Sequence, residues 1–171
     1  MFLDASIAFS TAQAITSTAA STSLYDITGA GSGNAPAMIG GNGNVIGQDI
    51  GAGDGVVIPY IYVDVSTAFV SAGGATLTVQ LQCAPDNGSN SPGTYTTIFQ
   101  TTALAVSQLG AASNVQFQVP PIPSGTVLPR FYRLNYVVAT STFSAGALSA
   151  NMVLNPASSL LNSKYPNNFV A

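Results

Sequence analysis

Residues 75–83 read ATLTVQLQC. In an extended chain Leu77, Val79, Leu81 and Cys83 fall on one side, and Thr76, Thr78, Gln80 and Gln82 on the other. That period of two marks a strand with one face in a core and the other in water. The pattern recurs along the chain. Residues 114–119 set Val115, Phe117 and Val119 against Gln116 and Gln118. Residues 131–139 place Tyr132, Leu134, Tyr136 and Val138 on one face, and residues 146–154 do the same with Leu148, Ala150, Met152 and Leu154. Residues 56–65 are rich in β-branched and aromatic side chains. Pro59 within them has no N–H for a ladder and belongs at a strand start, a bulge or a sheet edge. Weaker strands are expected at 14–19, 22–28 and 95–101.

Turn formers separate these runs: Gly73-Gly74, Pro85-Asp86-Asn87-Gly88, Ser91-Pro92-Gly93, Pro120-Pro121-Ile122-Pro123 and Ser124-Gly125. Residues 5–20 are alanine-rich, but their Ser and Thr lower helix propensity and no capping pattern frames them, so they read as strand and loop. About eight short strands with frequent turns predict an all-β, antiparallel β-sandwich, jelly-roll-like. Residues 1–154 form that domain in this reading. A glycine-rich stretch runs from 29 to 55, and its 29–48 portion is a surface insertion. Residues 155–171 form a C-terminal extension. It carries Leu160, Leu161, Tyr165 and Phe169, so it is expected to dock on its own domain or on a neighbour.

Charged residues are 5% of the chain, against roughly 25% in an ordinary soluble domain. There is no histidine, glutamate or tryptophan; the acids are six aspartates and the bases are Arg130, Arg133 and Lys164. A chain of 171 residues buries a core without staples, and 47% hydrophobic content excludes an intrinsically disordered chain. A net charge of −3 is small and of the wrong sign for nucleic acid. No stretch approaches the ~20 apolar residues of a membrane span. Residues 1–11 lack the basic start of a secretion signal, so synthesis and use in a cytoplasm, or release by lysis, are expected. Cys83 has no partner for an intrachain disulfide, and its place in an alternating run predicts a buried small hydrophobe.

The residues that carry most enzymatic proton transfer and metal binding are missing, which argues against catalysis. Gly29-Ala30-Gly31-Ser32-Gly33 follows a strand-like run, but Asn34-Ala35-Pro36 stands where a dinucleotide loop needs a helix. Gly40-Gly41-Asn42-Gly43-Asn44 is similar to a calcium-binding nonapeptide, yet Val45 occupies the aspartate position. Asp49 and Asp54 lie nearby, but the stretch reads as a glycine loop. Asp4, Asp26, Asp49, Asp54, Asp64 and Asp86 show no pairing in their spacing. Asp86 reads as a turn former, and Asp26 and Asp64 as outward strand positions. Arg133 is expected to ion-pair or hydrogen-bond across a sheet or a subunit contact.

Several segments carry a family likeness: Met1-Phe2-Leu3-Asp4, residues 9–16 (FSTAQAIT), residues 49–53 (DIGAG), and Thr67-Ala68-Phe69 leading into residues 74–79. So do residues 130–136 (RFYRLNY), Ala139-Thr140 and residues 143–146. Together, in order and spacing, they resemble the Bbp16-like capsid cement proteins of tailed phages over most of 1–28 and 49–154. The resemblance implies a jelly-roll protein on the outer face of an icosahedral head, made in the host bacterial cytoplasm. There it would clamp neighbouring major capsid proteins and stabilise the shell. It implies no catalytic, cofactor-binding or metal residues. The departures are residues 29–48 and the segment after Leu154.

The expected function is therefore structural, and the chain is expected not to be an enzyme. Its partners would be the major capsid protein and other copies of itself, as dimer or trimer, without nucleic acid or membrane. The expected contact residues are Phe2, Leu3, Ile7, Phe9, Arg133, Leu160, Leu161, Tyr165 and Phe169. The rival reading is a carbohydrate- or receptor-binding β-sandwich module on a phage particle.

Overall fold

A computed structural model describes residues 8–26, 38–39, 45–46, 59–120 and 129–153. The described strands are β1 (Ala8–Ala14), β2 (Ala19–Ala20), β3 (Tyr25–Asp26), β4 (Met38–Ile39), β5 (Val45–Ile46), β6 (Tyr60–Val70), β7 (Thr76–Ala84), β8 (Thr96–Gln100), β9 (Leu104–Ala105), β10 (Asn114–Gln118), β11 (Phe131–Ala139) and β12 (Ala145–Val153). Among the described residues one 3₁₀ turn spans Val106–Gln108. All the pairings are antiparallel. The first sheet runs β1-β12-β6-β10 and the second β2-β11-β7-β8, with β3 also on β11 and β9 also on β7. Strands β4 and β5 pair with each other as a two-stranded sheet inside the glycine-rich stretch.

The two sheets form a β-sandwich, as the alternation predicts. The pairing is nested: β1 lies beside β12, β2 and β3 beside β11, β6 beside β10, and β7 beside β8. The first half of the chain is thus laid against the second half. Successive rungs alternate between the sheets, so each sheet receives strands from both ends of the sequence.

The long strands form where sequence alternation is cleanest. Leu77, Val79 and Leu81 of β7, Leu134 and Tyr136 of β11, and Leu148, Ala150 and Met152 of β12 are all buried in one core. Each large apolar side chain contributes roughly 1.5–3 kcal/mol by leaving water. Pro59 sits just ahead of β6, and its carbonyl accepts the Val119 N–H at 2.9 Å. That is the strand-start position that a residue without an N–H tolerates. The strand expected from residue 56 is seen from Tyr60 onward and runs on to Val70.

Three expectations change. The weak strand at 14–19 is displaced: β1 ends at Ala14, and residues 16–18 bend before the short β2. The register of β1 shifts between Ala8 and Ser10 and again between Ser10 and Gln13, and Ala12 has φ 45°. Such irregularity breaks the period of two that would reveal a strand. Of the strand expected over 22–28, the described part, 22–26, holds only β3, and residues 27–28 lie outside the described residues. Cys83 is half-buried rather than buried: it lies near the end of β7 and packs against the margin of the core.

Polar and aromatic contacts bridge the sheets. Tyr136 Oη donates to Ser10 Oγ at 2.7 Å, and Ser10 Oγ donates to Gln13 Oε1 at 2.7 Å. Gln13 in turn accepts the Thr22 N–H at 3.0 Å and donates to the Ala20 carbonyl at 2.8 Å. Burial pushes the Tyr136 phenol well above its usual pKa, against a smaller opposing effect of Ser10, and keeps it a donor. At the β8/β10 edge Phe99 stacks on Phe117 with centroids 4.5 Å apart. Phe69 meets Phe143 edge-on at 4.8 Å. Phe69 also presses on Gly146, where β12 is bulged: a Cβ there would lie 2.3 Å from the ring, and φ is +146°.

Gly146→Ala should therefore cost about 2–3 kcal/mol, combining overpacking with an unfavourable backbone angle. Urea unfolding measures this, and adding Phe69→Leu should recover part of the loss.

Candidate functional site

One end of the second sheet is sealed by charge. Asp26, Phe131 and Ala84 are cross-strand neighbours on its outer face. All three are fully buried, at 0% exposure. Asp26 is thus an outward strand position, as expected, but not a solvated one. Arg130 folds over the row, with Cζ 4.8 Å from the centre of the Phe131 ring. Its Nε meets Asp26 Oδ1 at 2.9 Å and its Nη2 meets Oδ2 at 3.0 Å. Its Nη1 reaches Asp86 Oδ2, and Asn90 Oδ1 at 2.9 Å.

Asp86 serves twice. Its Oδ1 accepts the Gly88 N–H at 2.8 Å, which is the turn-forming role its sequence context predicts. The loop closes further through Gly93 N–H to Pro85 O at 2.8 Å and Asn87 N–H to Ser91 O at 3.0 Å. Its other oxygen holds Arg130. Partial desolvation pushes the Asp86 carboxyl up, but the Gly88 N–H and the Arg130 guanidinium outweigh it, leaving the pKa below the usual range. The hydrogen bonds from Arg130 to Asp26 raise the arginine's own pKa further.

Farther along the same face the surface is built from amides. Gln82 on β7 stands opposite Arg133 on β11, and Gln80 opposite Asn135. Arg133 Nε donates to Gln82 Oε1 at 2.9 Å, and Asn135 Nδ2 to Gln80 Oε1 at 3.0 Å. Gln80 Nε2 donates to Gln100 Oε1 at 3.1 Å, and Gln82 Nε2 to Thr97 Oγ1 at 3.2 Å. These bonds tie three strands together across their outer surface. The Arg133 guanidinium lies 3.6 Å above the Tyr95 ring centre. Burial pushes the Tyr95 phenol up, partly opposed by the Arg133 charge. Beside them runs a groove of about 190 Å³, lined by Ala20, Ser21, Thr22, Ser23, Leu24, Tyr95 and Arg133. Among the described residues both ion pairs belong to Arg130, so Arg133 meets no carboxylate there.

Of the expected contact residues, Arg133 is half-buried on this face and makes the cross-sheet hydrogen bond expected of it. Phe9 is 1% exposed within the domain's own core, so its side chain offers a neighbour no surface. Phe2, Leu3, Ile7, Leu160, Leu161, Tyr165 and Phe169 lie outside the described residues, as do most of the 29–48 insertion and the extension from 155. Burial pushes the Cys83 thiol up, away from the reactive thiolate. Asp64 is half-buried beside Tyr62, whose phenol is raised by burial first and by the Asp64 charge second. Among the described residues no group of three potential metal ligands converges.

Sequence reasoning missed the Asp26–Arg130–Asp86 cluster and the stacking role of Tyr95. The cluster joins residues 104 apart in sequence, a separation that no local pattern reports. Tyr95 lies in the turn region before β8, where alternation carries no signal.

The profile of the Bbp16 family matches residues 9–152, and the chain belongs to that family, which is phage-related. Every described long strand lies within the match or at its margin. No curated protein matches this chain.

Arg130→Met should cost about 3–5 kcal/mol, since it removes the two-pronged guanidinium contact from a fully buried carboxylate. Adding Asp26→Leu should restore much of the loss in a denaturant titration. The pH profile is a separate check. Asp86 binds a proton less readily folded than unfolded, so its contribution is present above about pH 4 and lost as pH falls through the folded value. With no histidine or glutamate, the thermal midpoint should stay level from about pH 5 to 8 and drop below about pH 4.

Proposed function

We propose that this chain is a structural virion protein: a capsid cement or decoration protein that binds the outer face of a tailed-phage head and strengthens contacts between major capsid proteins. The observation that carries the reading is the family match over residues 9–152. The structure adds physical support. The nested strand order supports a jelly-roll winding. The outer face of the second sheet is a ladder of Gln, Asn and Thr side chains already held by one another. A surface fixed in advance loses little side-chain entropy on docking. It also carries few ions that would have to shed water.

Cementing is a matter of multiplicity. A decoration protein bridges neighbouring subunits and adds interface at each of many equivalent positions. Modest contacts then act together, because each anchored end raises the local concentration of the next. The role is non-catalytic in this reading, and it uses no cofactor. Carbohydrate binding is less well supported: one face of Tyr95, the aromatic in the groove, is already occupied by Arg133, and a sugar needs such a face to stack on.

The native protein should co-sediment with intact heads at near-stoichiometric ratio to the major shell protein. Recovery only from the soluble fraction of the lysate, with none on particles, overturns the proposal. Deleting residues 155–171 should lower head occupancy and leave the unfolding midpoint of the isolated protein unchanged. Full occupancy by the truncated protein removes the extension from the contact.

A further inference from the structure

We infer that the groove beside Arg133 receives an aspartate or glutamate side chain from the shell protein on which this chain assembles. The inference rests on the assembly reading above and names the chemistry of one contact within it.

The guanidinium is held on two sides. Its Nε is committed to Gln82 Oε1 at 2.9 Å, and its plane rests on Tyr95 at 3.6 Å. Its Nη donors have no acceptor among the described residues, although Arg133 itself is half-buried. A cation kept in this way has already lost much of its freedom and part of its water. Its remaining donors form a planar fork, which matches the two oxygens of a carboxylate.

The surroundings select for one such group. Ser21 Oγ donates to the Ser23 carbonyl at 2.7 Å and accepts the Leu134 N–H at 3.1 Å, and Thr22 Oγ1 donates to the Phe9 carbonyl at 3.3 Å. Those hydroxyls shape the wall and are spent. Ser23 also lines the groove. Among the described residues no acid lines the groove to repel an anion. Asp26 and Asp86 are both engaged by Arg130. A volume of about 190 Å³ accommodates one acidic side chain with companion waters, each of which takes about 30 Å³. A free anion facing one guanidinium and no second cation would be held weakly in water. A carboxylate delivered by a docked protein is held by the whole interface. The amides around it suit a neutral partner surface with a single acid at this point.

The test uses full-length protein and purified heads lacking it, with binding measured at low and high salt. Arg133→Gln should weaken binding at least tenfold and flatten the salt dependence. Arg133→Lys, which keeps the charge but loses the fork and the stacking, should lose most of the same affinity. Thermal unfolding of both variants checks that they fold. Native-like binding by Arg133→Gln overturns the inference and leaves the assembly reading intact. If the native protein fails on heads, the assembly reading falls, and a second arm decides this one. A blocked acidic peptide, acetyl-Gly-Asp-Glu-Gly-amide, should shift the backbone amide resonances of residues 20–24 in the native protein and not in Arg133→Gln. No shift overturns the carboxylate site. Shifts with inorganic phosphate but not with the peptide overturn it in favour of a free-anion site.

Discussion

The pairing of Asp26 with Arg130 orders much of this molecule's second sheet. Asp26 is completely buried, and an isolated carboxylate in that position would cost several kcal/mol in lost hydration. Two-pronged contact with Arg130 offsets the cost only if the guanidinium is held in place. The loop over residues 85–93 does this by offering Asp86 and Asn90 to the remaining nitrogen. The loop is thereby tied to the sheet's end through Arg130, which itself lies over Phe131. Its departure point sets where Tyr95 begins the approach to β8, and Tyr95 is the surface on which Arg133 lies. The buried ion pair in the scaffold and the half-buried Arg133 on the sheet's outer face are thus joined through one loop. Such a pair is weak evidence for net stability, since apolar residues of matching volume do as well. Its better-supported consequence here is geometric: it fixes one position for a loop that short-range turn bonds alone would leave free to pivot.

How far the sequence could be read followed how regular the backbone is. Strands β7, β11 and β12 alternate without interruption through most of their length and are visible in the residue pattern. Strand β1 is longer than several that were expected, yet its bulged register and the positive φ of Ala12 scramble the alternation. Strands β2, β3 and β9 are two residues each, too short for any period to appear. Asp26 was legible as an outward position but not as a buried one. Outward on a strand means solvated only if nothing folds over it, and what folds over it begins with Arg130, 104 residues away. Arg133 was the easier case, because its partner Gln82 stands directly across a ladder between two regular strands. Phe9 was expected to be a docking residue as one of the apolar side chains of the N-terminal segment; placed in β1, it is a core residue.

Scarcity of charge has a structural counterpart on the amide face. Gln and Asn each present both a donor and an acceptor, so a ladder of them satisfies itself sideways without counter-ions. Gln80 shows this: its oxygen accepts from Asn135 and Gln82 while its nitrogen donates to Gln100. The cross-links stiffen three strands from outside, while the core holds them from inside. Among the described residues Arg133 is the one ion on this amide stretch, so elsewhere along it salt has little to screen.

The two arginines lie three positions apart and have opposite fates. Arg130 precedes β11 and can turn back over the sheet's end, where both acids of that region await it. Arg133 lies inside β11, and the pleat fixes it on the outer face among amides. Had an acid occupied the Gln82 position, Arg133 would be neutralised within the fold, as Arg130 is. Glutamine instead engages Nε without cancelling the charge, so the guanidinium is oriented but remains electrically unpaired among the described residues. In a chain with three cations, one cation spent on the scaffold and another held oriented and uncancelled on a neutral face is a division of labour that the pleat and one glutamine are enough to produce.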